Sequence, residues 1–136
     1  MTKDRSRGWF VASVRELPWQ ENELGATYEF DKQRERFDEF GINLTVLRPG
    51  QPMTMYHREG YQEGVAHAIV GSGAGLSLVL AVGSRVGPDV ILYPRDETAL
   101  KHGAGVEQDT PHPQEAYARF TRPAPEIRFR DEFLAE

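Results

Sequence analysis

The chain has 136 residues, a formal net charge of −5 and no cysteine. That length suits one hydrophobic core. The missing thiols exclude disulfides, a thiolate metal site and a cysteine nucleophile, and the acidic balance excludes a broad basic surface for nucleic acid.

The charged start, Met1 to Arg7, is followed by no long apolar run, which reads against a secretory leader. The longest mainly apolar stretch, Leu76 to Val82, is too short to cross a bilayer. With no cysteine, the expectation is a cytoplasmic protein with no membrane partner. The chain reads as a single domain over residues 1–136: an N-terminal strand and arm (1–40), a set of barrel strands (41–93), then helical turns and an extended tail (94–136).

Gly8 to Val14 reads as a short strand with aromatic anchors. Glu16 to Arg36 is polar, holds Pro18-Trp19 and Gly25, and reads as a long irregular arm. Asp31 to Phe40 has few apolar positions and reads as a solvated surface loop rather than a helix. From Gly41 the pattern changes. Ile42, Leu44 and Val46 alternate with Asn43 and Thr45, the period of a half-buried strand. Pro49-Gly50 signals a turn. Strands are then expected over 52–59, 65–70, 76–82 and 90–93, with the glycine-rich run Gly71 to Gly75 as a hairpin turn rather than a phosphate loop, since no Lys-Ser/Thr ending follows it. Leu76 to Val82 is apolar almost throughout and is expected to be central and covered on both faces. Short strands with Gly/Pro punctuation indicate a β-sandwich or barrel. Asp96 is placed to cap a short helix that stops at Gly103 or Gly105, and Thr110 to Phe120 reads as a capped turn leading into a second.

The chemistry concentrates between Pro49 and Glu63. His57 and Glu59 are two apart, so on a strand they share a face. Glu63 and His67 follow closely. An imidazole and carboxylates on one face can hold a divalent metal. Two glutamates beside a histidine inside a barrel are costly without a cation, because like charges repel and desolvation is expensive. His57 reads either as a ligand or as a hydrogen-bonded strand histidine. His67, among Val65, Ala66, Ala68, Ile69 and Val70, reads either as a ligand or as a core histidine. His102 and His112 fall at helix ends and read as surface groups. Nothing marks a Ser/His/Asp arrangement.

These residues resemble the cupins, small conical β-barrels of two packed antiparallel sheets. The first cupin motif is a Gly followed by His-x-His, Glu and Gly; here Gly50 precedes His57-Arg-Glu59 and Glu63. His57 and Glu63 match metal-ligand positions, and Glu59 stands where the second histidine usually stands. The second motif, Pro-x-Gly-x-x-His-x-x-x-Asn, is matched by Gly64-Val-Ala-His67, with Gln62 at the Pro position and Gly71 at the Asn position. The chain is similar to bacterial single-domain cupins with a Trp-Phe-Val start and a His-Gly-Ala-Gly-Val-Glu segment, here His102 to Glu107.

The resemblance covers roughly residues 8–122 and implies an all-β, cupin-like conical barrel of jelly-roll type with short C-terminal helices. It also implies a metal set of His57, Glu59, Glu63 and His67 for Fe, Mn, Zn or Ni. One departure is large: the stretch of strands between the two motifs is missing, about 30 residues by ordinary strand lengths. Such a loss leaves the barrel incomplete and unpairs its neighbours. Exposed edges invite pairing with another chain, so a homodimer is expected. The functional expectation is a small-molecule or divalent-metal binding cupin. A metal-dependent oxygenase or isomerase, and a remnant without metal, stand as alternatives.

Overall fold

The computed structural model describes residues 12–30, 39–60, 65–84, 87 and 90–123. Most of the expected strand at 8–14, the stretch 31–38, Glu63 with its neighbours 61, 62 and 64, and the tail beyond 123 lie outside the described residues.

The described residues are mostly β-structure in antiparallel sheets, as the alternating patterns predict. One sheet has four strands in the order β1-β2-β3-β5: β1 (Gln20–Asn22), β2 (Gly25–Glu29), β3 (Phe40–Leu47) and β5 (Ser77–Ser84). The other pairs β4 (Arg58–Glu59) with β6 (Ile91–Leu92). Two short helices follow, α1 (Glu97–Lys101) and α2 (Pro113–Ala116).

The arm expected over 16–36 is in part a hairpin. The Asn22 side chain accepts the Leu24 N–H at 2.9 Å, closing an Asx-type turn. Gly25 then enters β2 at φ +103°, where a side chain is strained, and a Cβ there would lie 2.7 Å from the Val46 carbonyl oxygen. Ala26 and Tyr28 pair with Val46 and Leu44 on β3. With Trp19 and Leu17 they form one core cluster, which Leu44, Phe30 and Leu76 join at its margin. The Trp19 indole N–H donates to the Val14 carbonyl at 3.0 Å, so this buried ring keeps its polar atom satisfied. The opposite face of the sheet carries Thr27 and Thr45, whose hydroxyls meet at 3.0 Å.

The strand expected at 52–59 is interrupted. Pro52 bridges Val70 and His57 bridges His67. Four residues lie between the two bridges on one side and two on the other, so the 53–56 segment bulges by two residues. The bulge is held from outside the sheet: the Met55 N–H donates to the Tyr117 hydroxyl at 3.2 Å and the Tyr56 N–H to the Ala104 carbonyl at 2.7 Å. Met55 is thereby buried with Tyr93 and Ala116, the centre of a second core cluster. The 65–70 run is likewise joined by bridges at Val70 and His67 rather than as a regular strand.

The Leu76–Val82 expectation is also corrected. β5 pairs with β3 over its whole length but stands at the end of the sheet. Leu78, Leu80 and Val82 are 53%, 62% and 62% exposed rather than covered. Apolar composition predicted burial, but among the described residues no strand lies beyond β5 to supply it.

The helix ends follow their sequence signals. Asp96 caps α1 by accepting the Ala99 N–H at 2.8 Å, and Gly103 follows the helix at φ +73°. No helix among the described residues is long and apolar enough to cross a membrane.

Candidate metal site

His57 and His67 come together. Each residue's N–H donates to the other's carbonyl, at 3.0 and 2.9 Å. Directly opposed residues of an antiparallel pair put their side chains on the same face. The two imidazole rings accordingly stand 4.8 Å apart, centroid to centroid, tilted by 53°. Glu59, two residues on, brings a carboxylate oxygen to 3.9 Å from His57 Nε2. That is too long for a hydrogen bond and short enough for both atoms to face one cation.

The two rings are oriented by their own backbone. His57 Nδ1 lies 2.7 Å from the Met55 carbonyl oxygen, and His67 Nδ1 lies 3.2 Å from the Val65 carbonyl oxygen. A carbonyl only accepts, so in each ring Nδ1 is the N–H donor and the neutral ring keeps its lone pair on Nε2. This is the hydrogen-bonding arrangement of metal-ligating histidines, whose second nitrogen is tied to a carbonyl or carboxylate. His57 is buried and forms the floor of the site. His67 is exposed, and the Glu59 side chain is 55% exposed.

A row of aromatic rings supports the floor. The Tyr93 ring lies 6.1 Å from that of His57, and Tyr117 packs edge-on against Tyr93 at 5.7 Å. Tyr93 follows β6 and bridges Thr110, with reciprocal N–H to carbonyl bonds of 2.9 and 3.0 Å. Burial, then the neighbouring Tyr117, hold the Tyr93 phenol well above the usual tyrosine range. Burial also pushes Tyr117 up, opposed by the Met55 N–H it accepts and by Tyr93. Both phenols therefore stay neutral beside the imidazoles. Neither tyrosine stood out as a site residue in the sequence, because their link runs through contacts between distant segments.

Of the four residues expected as ligands, the structure brings together His57, His67 and, less closely, Glu59. Glu63 lies outside the described residues. Among the described residues, no three His, Asp or Glu side chains converge closely enough to hold a metal by themselves. His102 and His112 stand at the C-cap of α1 and the N-cap of α2. The donor chemistry fits a borderline divalent ion, with two imidazole nitrogens and a carboxylate nearby. Compared with known protein families, curated proteins and solved structures, the chain matches none of them.

Proposed function

We propose that this chain binds a divalent metal ion between His57 and His67, on a β-scaffold of cupin type, and offers the ion's remaining positions to a small oxygen- or nitrogen-donor ligand. The observation that carries the reading is the pair of imidazoles set side by side, 4.8 Å apart, with both Nδ1 atoms on backbone carbonyls. That arrangement leaves two Nε2 lone pairs for one ion. Glu59, 3.9 Å from His57 Nε2 with its side chain 55% exposed, would have to swing in to serve as a third ligand, and Glu63 is the sequence candidate for a fourth. Zn, Fe, Ni and Mn all accept such a mixed nitrogen and oxygen set. The antiparallel β architecture supports the cupin reading, as does the meeting of one histidine from each motif. An oxygenase or isomerase activity would need the same ion, so metal binding is the property to test first.

Full-length protein stripped with a chelator is titrated calorimetrically with Zn²⁺ and with Ni²⁺. The expected result is one ion per chain for the wild type, with His57→Ala and His67→Ala each weakening binding at least about tenfold. A wild type that binds neither ion overturns the proposal, as do variants that bind as tightly as the wild type.

A further inference from the structure

We infer that two copies of this chain join through β5, placed antiparallel about a two-fold axis at Leu80, so that the β1-β2-β3-β5 sheet continues into its copy. β5 is an eight-residue strand at the end of its sheet, with no strand among the described residues on its outer side. Edge strands of soluble proteins usually carry a lysine, a proline, a bulge or a very short length to prevent such pairing. From Ser77 to Ser84 there is no charged residue and no proline, and the β3 pairing runs without a break in register.

The occupant is a second copy because the strand is its own complement. A two-fold contact requires that residue i meet residue j while j meets i. Around Leu80 the positions two residues either way, Leu78 and Val82, are both apolar, exposed and on the face of Leu80. The flanking positions Val79 and Ala81 are apolar as well. Antiparallel pairing therefore sets Leu80 against Leu80 and Leu78 against Val82, twice. The chain as a whole carries a charge of −5, which disfavours self-association. The charge-free β5 segment is where two copies meet without direct repulsion. The apolar row also continues across β3, where Ile42, Leu44 and Val46 pair with Val82, Leu80 and Leu78. Joining two copies extends that apolar face through the junction.

The oligomeric state of the full chain is measured by light scattering at about 100 µM, which saturates any contact of micromolar Kd. The wild type is expected at twice the chain mass and Leu80→Lys at the chain mass, with an unchanged far-ultraviolet spectrum. Because the chain has no cysteine, Leu80→Cys introduces a single thiol, which faces its own copy at a separation a disulfide can span. Mild oxidation should then give a covalent dimer rapidly, while Lys101→Cys, on exposed α1, stays largely uncrosslinked. This second variant keeps the inference testable if Leu80→Lys fails to fold. A monomeric wild type overturns it, as do a dimer indifferent to Leu80→Lys, equal crosslinking at both thiols, or open-ended higher assemblies, which indicate a head-to-tail contact instead.

Discussion

His57 and His67 are locked opposite one another by two reciprocal main-chain hydrogen bonds, so the 4.8 Å spacing of their rings is set by the backbone rather than by the side chains. A ligand pair fixed in this way loses little conformational freedom on binding an ion. Bound metal should therefore stabilise the fold by mass action, by about 2.7 kcal/mol when free metal is 100-fold above Kd. The check is a urea titration with and without Zn²⁺. The wild-type midpoint should rise with metal, and the His57→Ala midpoint should rise by about half as much or less. Glu59→Gln keeps the shape but removes the charge, so it should retain a smaller rise.

The glycine-rich turn divides into positions that need glycine for different reasons. A Cβ on Gly71 would strike the Arg48 carbonyl oxygen and crowd the Arg48 carbonyl carbon and Leu47 Cβ, at 3.0 and 3.1 Å. Gly71 also exchanges main-chain bonds with Gly50 and Gln51, so the backbone has little room to retreat. Gly73 sits at φ +75° with nothing near its absent side chain. Gly71→Ala should cost about 2 kcal/mol or more through overpacking. Gly73→Ala should cost only the left-handed backbone penalty, roughly 1–2 kcal/mol. Chemical denaturation of the two variants compares them directly, and equal losses would remove the close approach of Gly71 to β3 as a determinant of stability.

What could be read in advance was local. The alternation of Ile42, Leu44 and Val46 identified β3, and Asp96 with Gly103 identified α1, because each signal lies within the element it specifies. The β1-β2 hairpin escaped notice because Gln20, Glu21 and Asn22 are all polar and the apolar alternation of β2 is only Ala26 and Tyr28. The break at 53–56 was illegible because it depends on the Tyr117 hydroxyl and the Ala104 carbonyl, far along the chain. β5 was misjudged because an apolar strand does not disclose whether it has a neighbour on each side. For the site, residue types and spacing picked out His57, Glu59 and His67. The Nδ1 contacts to Met55 and Val65, and the tyrosines below, became visible only in three dimensions.

Tyr93 and Tyr117 predict an alkaline limit to stability. Both phenols bind their protons more tightly in the folded chain than when exposed, with burial the main cause for each. Above the ordinary tyrosine value of about 10, the unfolded chain releases protons that the folded chain retains, so stability falls as pH rises. Below that pH this contribution to stability is fully present. Urea midpoints should therefore be level to about pH 9 from this source and decline beyond pH 10, with the decline shallower in Tyr93→Phe. Tyr117→Phe has a further effect at neutral pH. It strands the Met55 N–H, which should cost about 1–3 kcal/mol. A Tyr93→Phe profile that falls as steeply as the wild type would assign the alkaline loss to other groups.

Glu23 and Thr121 tie the end of the described chain to the β1-β2 turn. The Thr121 N–H donates to both carboxylate oxygens at 3.2 and 3.1 Å, and its hydroxyl donates to one of them at 2.8 Å. In return the Thr121 carbonyl accepts from the Asn22 side chain at 3.0 Å. These bonds favour the ionised carboxylate. Glu23 titrates below its usual 4.5, through its own backbone N–H first and the Thr121 hydroxyl second. A depressed folded value means the contact is intact above the usual glutamate range and is lost as pH falls through the folded value. The group is solvent-exposed, so the readout is the titration itself rather than a large change in stability. Carboxyl NMR should place the Glu23 midpoint below 4.5 in the wild type. In Thr121→Val the hydroxyl is gone but both backbone donors remain, so the midpoint should rise only part of the way. A midpoint identical in the two proteins would mean that the Thr121 hydroxyl does not reach Glu23 in solution.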